Sequence, residues 1–305
     1  MKICMIGLGK MGLNIARNMK QNGIEVTGYD ISEPSRQEAE KEGIETVANV
    51  EDLFDENERN IVWSMLPAGK ITDEMIEKLA SLLKKGDIVI DGGNSFYKDS
   101  LRHYDTLKKK GIYFLDAGTS GGMNGALHGA NYMIGGDKEA FDTVEEVFRK
   151  TAAPDGYLYT GRPGSGHYLK MVHNGIEYGM MQAIAEGFDL LEHSPYEYDN
   201  AKVAKLWNHG SVIRSWLVEL MEEAFEADPQ LENVKGVMFS SGEGQWTIEE
   251  ALRLKVPVPV IAMAQMMRNR SLEDDTFTGK VVASMRKGFG GHKIVKGEAG
   301  HGKDS

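Results

Sequence analysis

The chain has 305 residues, enough for two domains, and its 41% hydrophobic and 27% charged residues are ordinary for a globular protein with packed cores. A formal net charge of −11, from 35 Lys and Arg against 46 Asp and Glu, argues against nucleic-acid binding, which needs a broad basic footprint. No apolar run approaches the length of a bilayer span, which argues against a membrane protein.

The chain begins Met1-Lys2-Ile3-Cys4-Met5-Ile6-Gly7. This predicts a short apolar strand running into a glycine turn, not an export leader, so a cytoplasmic protein is expected. Cys4 is the single cysteine, so no disulfide forms within the chain, and its apolar strand predicts a packed core residue. Gly7-Leu8-Gly9-Lys10-Met11-Gly12 then leads into Leu13 to Met19 at helical spacing. Strand, glycine turn and helix in that order form a dinucleotide fingerprint. Gly7 permits the tight turn, Gly9 lets backbone approach a pyrophosphate, and Gly12 lets helix and strand pack closely, with phosphates at the helix N-terminus. Residues 24–29 predict a second strand ending at Asp30, where a ribose 2′-hydroxyl is recognised. A carboxylate there repels a 2′-phosphate, and Ile31-Ser32-Glu33-Pro34 brings no arginine, so NAD is expected over NADP.

Further strands are predicted over 60–65 and 87–91, with a helix over 73–85 between them. Such alternation makes a parallel sheet with helices on both faces, an α/β, Rossmann-type doubly wound N-terminal domain. Ligands bind beyond the carboxyl ends of its strands, which singles out Leu66-Pro67-Ala68 for the cofactor. The same rule singles out Asp91-Gly-Gly93-Asn94-Ser95, whose Asn94 amide suits both nicotinamide and substrate. After a strand over 112–116, the run Ala117 to Ala126 carries Ser120, Gly121 and Gly122. Its many glycines predict a loop of exposed N–H groups that cradles a carboxylate or phosphate. Another strand is predicted over 131–136.

At Gly161-Arg-Pro163-Gly-Ser-Gly166 the chain breaks and helical patterns follow. The expected division is a dinucleotide-binding domain over 1–163 and an all-α substrate and oligomerisation domain over 164–305. One unbroken helix is predicted over 167–192, carrying Lys170, Asn174 and Glu177. An amine, an amide and a carboxylate at i, i+4 and i+7 share one face at about 100° per residue. That face would otherwise bury apolar groups, so a polar stripe there marks a candidate site. Further helices are predicted over 200–227, 247–254 and 260–269, and the pairs Met180-Met181 and Met266-Met267 read as core filling. No metal-ligand cluster is evident. Met285-Arg286-Lys-Gly-Phe289-Gly-Gly-His292 precedes a polar end, 296–305, of disordered composition, so composition alone reads the chain from about 280 as a tail.

Together these segments resemble the decarboxylating 6-phosphogluconate dehydrogenases, of the shorter, NAD-preferring type, within the β-hydroxyacid dehydrogenase superfamily. The resemblance runs from residue 1 to about residue 295. Its most specific block is Lys170-Met-Val-His173-Asn174-Gly-Ile-Glu177-Tyr178-Gly179. Lysine with asparagine four residues on recurs across the superfamily, whereas the added His173 and Glu177-Tyr178 are characteristic of the phosphogluconate enzymes. Ser120-Gly121-Gly122 matches the family's substrate loop, and the segment from Asp91 to Ser95 its loop between cofactor and substrate. The resemblance implies substrate contacts from Asn94, Ser120, Gly121, Gly122, His173, Asn174 and Tyr178, with phosphate held by Arg268. Arg286 and His292 have the spacing of a C-terminal pair that enters the neighbouring subunit's site. A homo-oligomer, dimer or tetramer, is therefore implied, and the segment around Arg286 becomes functional rather than tail. One departure stands out. Long members carry lysines in Gly-Gln-Lys-Gly-Thr-Gly-Lys-Trp-Thr, whereas Ser240-Ser-Gly-Glu243-Gly-Gln245-Trp246-Thr247 has none.

The implied reaction is oxidative decarboxylation of 6-phosphogluconate, a phosphorylated sugar acid, to ribulose 5-phosphate and carbon dioxide with reduction of NAD. It belongs to the pentose phosphate pathway and to gluconate utilisation. Lys170 is the implied base at the C3 hydroxyl, kept neutral by burial, and its conjugate acid then stabilises the enolate oxygen that Asn174 orients. Glu177, two turns along, is the implied acid at C1. The alternative is a non-decarboxylating dehydrogenase of the 3-hydroxyisobutyrate type, against which Glu177, Arg268 and Arg286 speak.

Overall fold

A computed structural model describes residues 1–295; the polar end over 296–305, expected to be disordered, lies outside the described residues. The N-terminal half alternates β1 (Lys2–Ile6), α1 (Lys10–Gln21), β2 (Glu25–Tyr29), α2 (Glu33–Lys41), β3 (Glu45–Val47), β4 (Ile61–Ser64), α3 (Lys70–Leu82), β5 (Ile88–Asp91), α4 (Tyr97–Lys108), β6 (Tyr113–Ser120), α5 (Gly122–His128), β7 (Ala130–Gly136), α6 (Lys138–Thr151) and β8 (Ala152–Gly161). One sheet runs in the order β3-β2-β1-β4-β5-β6-β7-β8. Ile3 and Met5 enter one apolar cluster while Cys4 and Ile6 enter another, because successive side chains of a strand point to opposite faces and helices cover both. Cys4 is buried, its Sγ lies 3.3 Å from the Leu53 carbonyl, and burial pushes its thiol up to about 11.

The expected parallel sheet is present from β3 through β6. It reverses at β7, which runs antiparallel to β6, and β8 follows β7 in parallel. Only Gly121–Gly129 joins β6 to β7, too short for the crossover that a parallel pair needs. The predicted glycine loop over 117–126 is therefore mostly regular structure. Ala117 to Ser120 pair with β7, and α5 starts at Gly122. These glycines serve close packing more than looseness.

The helical half comprises α7 (Ser165–Glu192), α8 (Asn200–Asn208), α9 (Trp216–Ala227), α10 (Glu243–Leu254), α11 (Pro259–Ser271) and α12 (Phe277–Gly290). The single helix predicted over 200–227 is two helices. Gly210 takes φ +83° between them, and the Ser215 hydroxyl caps α9 by accepting from the Val218 N–H. The segment that composition reads as tail from about 280 is the body of α12, capped by the Thr276 hydroxyl, which accepts from the Gly279 N–H. No helix among the described residues is long and apolar enough to cross a membrane.

By contacts the chain divides into two compact units. One comprises Met1–Tyr178 with Gly242–Val258, so α10 and the first half of α7 belong with the sheet. The other comprises Gly179–Ser241 and the described residues from Pro259 onward. Its core is built on Phe188, Ala204, Val218 and Phe225. The methionines expected to fill a core do not all do so: Met180, Met266 and Met267 are exposed. On α11 only Ala264 and Gln265 are buried, so its apolar residues face outward.

Candidate active site

Loops after β1, β4 and β5 come together. Gly7, at φ +93°, turns the chain from β1 into α1, and a Cβ there would lie 2.7 Å from the Met65 carbonyl oxygen. A Cβ on Gly12 would overlap the Gly7 carbonyl, whereas Gly9 faces open space. Lys10, Met11 and Gly12 form the first turn of α1, whose N-cap Gly9 offers no side-chain acceptor to its N–H groups. At the end of β2, Asp30 accepts from the Leu8 N–H at 2.8 Å and from the Ser32 N–H at 2.8 Å. Leu66 touches both loops: its side chain lies beside Gly7, and its carbonyl lies where a Cβ on Gly93 would be 2.7 Å away. Pro67 and Ala68 are exposed next to it. Backbone that can be approached closely, an uncapped helix start and an acceptor at the strand end fit a dinucleotide.

Asn94 is exposed on the loop after β5. Asp91, fully buried, holds that loop by accepting from the Gly93 N–H at 3.2 Å and the Ser95 hydroxyl at 2.7 Å. The Thr119 hydroxyl joins β6 to it by donating to the Gly92 carbonyl at 3.3 Å.

Helix α7 is fixed on β6 at its start. The buried Asp116 carboxylate accepts from the N–H groups of Gly164 at 2.7 Å and His167 at 2.8 Å. Burial pushes that carboxyl above the usual carboxylate range, against the pull of His167 and the two N–H groups. The approach is close: a Cβ on Gly135 would lie 2.6 Å from the Ser165 hydroxyl, and one on Gly118 would lie 2.9 Å from Lys170 Cγ.

The next turns carry the polar stripe. Lys170 is 5% exposed and Asn174 8%, and Lys170 Nζ donates to Asn174 Oδ1 at 2.7 Å. His173 sits among them, its Nδ1 3.0 Å from Asn174 Oδ1, 3.5 Å from Lys170 Nζ and 3.8 Å from Glu177 Oε2. Its Nε2 lies 3.3 Å from the Ser120 hydroxyl at the end of β6, next to Gly121 and Gly122 at the start of α5. Glu177 is partly exposed and Tyr178 is buried. Burial pushes the Lys170 ammonium below its ordinary value, while the carboxylates of Glu177 and Glu243 oppose that shift. The cluster therefore offers an amine able to give up its proton, an amide that orients an oxygen, and a solvent-accessible carboxyl group.

Arg268, Arg286 and His292 belong to the second unit. Arg268 donates to the Phe239 carbonyl at 2.7 Å, and Arg286 is exposed on α12. His292, just past the helix end, packs edge-on against Phe289 at 6.0 Å. Three residues at the first unit's site escape sequence reasoning: Asp116, Gly118 and Glu243. Glu243 is 3% exposed in the first turn of α10, and the Thr247 hydroxyl one turn later donates to the Met171 carbonyl at 2.8 Å. A lone glutamate among glycines and serines carries no periodic signal. Gln245, in the segment where the long form has lysine, is exposed and donates to Glu249 at 2.8 Å.

Residues 2–162 match the family model described as the NAD binding domain of 6-phosphogluconate dehydrogenase, and residues 166–293 match that of its C-terminal domain. The Bacillus subtilis protein YqeC, provisionally named a 6-phosphogluconate dehydrogenase, is 54% identical over 297 residues, covering 97% of this chain and 100% of its own. An NAD(+)-dependent, decarboxylating 6-phosphogluconate dehydrogenase of Haloferax volcanii is 41% identical over 299 residues, covering 97% of this chain and 99% of its own. The solved 6-phosphogluconate dehydrogenase of Plasmodium falciparum superposes with a TM-score of 0.82 at 31% identity, over 99% of this chain and 67% of that one. With both halves matched, the chain belongs to the 6-phosphogluconate dehydrogenase family.

Proposed function

We propose that this protein is an NAD-dependent enzyme that oxidatively decarboxylates 6-phosphogluconate to ribulose 5-phosphate and carbon dioxide. The single observation that carries the reading is the buried Lys170–Asn174 pair with His173 and Glu177 beside it, on a chain of this family. Gly7, Leu8, Gly9, Lys10, Met11 and Gly12 would hold the pyrophosphate, Asp30 the ribose, and Leu66, Pro67, Ala68 and Asn94 the nicotinamide end. NAD, when bound there, accepts the hydride from C3 of the substrate.

Lys170, whose charged form is disfavoured by burial, takes the proton of the C3 hydroxyl when it is in its neutral form. Once protonated it donates to the C3 oxygen as carbon dioxide leaves, with Asn174 holding that oxygen in place. Glu177, further along the same face and open to solvent, delivers the proton to C1. Asn94, Ser120, Gly121, Gly122, His173 and Tyr178 line the sugar acid. Arg268, with Arg286 and His292 from a neighbouring copy, takes the phosphate.

A homo-oligomer, dimer or tetramer, completes the site in this reading. The outward-facing Val260, Met263 and Met266 on α11 and Val282, Met285 and Phe289 on α12 supply apolar surface for a second copy to cover. Residues 1–163 then serve the cofactor and 164–305 the substrate and the oligomer. A cytoplasmic setting, within the pentose phosphate pathway and gluconate utilisation, completes the reading.

The test measures carbon dioxide release from 6-phosphogluconate with NAD and with NADP, and turnover of 3-hydroxyisobutyrate alongside. Release with a preference for NAD is expected. Turnover of 3-hydroxyisobutyrate without release from 6-phosphogluconate would refute the reading.

A further inference from the structure

The amine of Lys170 is buried, and a buried amine keeps or loses its proton according to the charges around it. Two carboxylates act on it, Glu177 from its own helix and Glu243 from α10. His173, also on α7, is 3.5 Å away, while β6 behind it offers the hydrogen of Gly118, the Ser120 hydroxyl and the buried Asp116 carboxylate, which is bound to the Gly164 and His167 N–H groups at the start of α7. Glu177 is partly exposed, so solvent screens it; Glu243 is 3% exposed and is screened far less.

The turn of α10 that carries Glu243 is fixed on α7 by packing. It shares one face of α10 with Thr247, four residues on, and that face is docked on α7. The Thr247 hydroxyl bonds the Met171 carbonyl at 2.8 Å, and Gly175 lies so close that a Cβ there would be 2.8 Å from Thr247 Cγ2. The turn of α10 that carries Glu243 is thus clamped against the turn of α7 that carries Lys170 and Asn174.

We propose that Glu243 is a positioning residue for the reaction: its carboxylate holds the Lys170 amine beside Asn174 and sets the charge that the amine carries when substrate arrives. The role rests on Lys170 being the base. With a carboxylate at this position the amine stays protonated to higher pH in the free enzyme, and it is better able to hold its proton during decarboxylation.

The test follows the acid limb of the kcat/KM profile against pH with 6-phosphogluconate and NAD. Removing the negative charge in Glu243→Gln moves the limb to lower pH, by about half to one unit. Glu243→Asp, which keeps the charge, leaves it near the wild-type position. An unmoved limb in the glutamine variant, or equal movement in both variants, overturns the proposal. Competitive acylation of Lys170 by acetic anhydride, read by mass spectrometry across the same pH range, reports the amine without turnover. A wild-type protein that fails to turn over 6-phosphogluconate would therefore count against the proposed function and leave this comparison standing. If Glu243→Gln does not fold, Glu243→Met carries the same expectation. If both neutral variants unfold while the aspartate variant folds, the carboxylate is structural and the proposal falls.

Discussion

Gly118 on β6 lies flat against the stem of Lys170 on α7, so that a Cβ on the glycine would overlap Lys170 Cβ and come within 2.9 Å of its Cγ. Gly118 is not in the left-handed region, so Gly118→Ala tests space alone. The added methyl pushes the lysine out of register with Asn174. We expect kcat with 6-phosphogluconate to fall by roughly 10²-fold. NAD affinity, followed by fluorescence titration, should stay unchanged, since Gly118 is remote from the glycine turn in sequence and in role.

Two substitutions separate the proposed chemical roles. Lys170→Met removes the base, and a loss in kcat of roughly 10³-fold or more is expected. Glu177→Gln slows both turnover and the exchange of tritium from C1 of ribulose 5-phosphate into solvent. Near-normal rates in either variant would remove that residue from the mechanism.

The same lysine makes stability depend on pH in a defined direction. Its folded pKa is depressed by burial below the ordinary 10.5, so between those two values the unfolded chain binds more protons than the native one. Stability contributed at this site therefore rises with pH through that window, and the cost of burying the ammonium is complete below it. Urea unfolding of Lys170→Met should show a gain over wild type at pH 6 that shrinks toward pH 10. A constant difference would contradict the assignment.

Glu250 anchors α10 to α4. It accepts from the Tyr97 hydroxyl at 2.9 Å and from Arg253 through Nε at 2.8 Å and Nη2 at 2.6 Å. These bonds, chiefly those from Arg253, hold its carboxyl at about 2, below the ordinary 4.5. Because the folded value is the lower one, the stabilisation is complete above pH 4.5 and is lost as pH falls toward 2. Glu250→Gln should cost roughly 2 kcal/mol at pH 7, allowing for the exposed Arg253 head group. Chemical denaturation at pH 7 and pH 3 should show that difference narrowing at the lower pH.

The proposed sharing of sites between copies has its own signature. Lys170→Met and Arg286→Ala proteins, each nearly inactive alone, should recover activity when unfolded and refolded together, because a hybrid oligomer contains one site with both wild-type residues. Recovery near a quarter of the wild-type specific activity is expected for a randomly mixed dimer, by roughly the statistics of a two-fold interface. No recovery would place Arg286 outside the neighbour's site.

Much of this protein is legible along the chain because its signals are local. The glycine turn at Gly7, Gly9 and Gly12 is written in steric demands a few residues apart, and Asp30 follows from the length of one strand–helix–strand unit. Lys170, Asn174 and Glu177 are legible because one helix sets their alignment, whatever it packs against. Other features have no local cause. The reversal of β7 depends on how little chain is available between two strands, and the exposure of Met266 and Met267 on which face of α11 meets its own unit's core. Asp116 holds the start of α7 from a strand about fifty positions earlier, Gly118 makes room for a lysine on that helix, and the carboxylate of Glu243 on α10 adds its charge to the surroundings of Lys170. The sequence by itself determined which side chains could do chemistry. Only the tertiary structure decided which of them lies in a dry, closely packed setting, because burial and the charge of a neighbour are set by residues that periodicity along one segment cannot see.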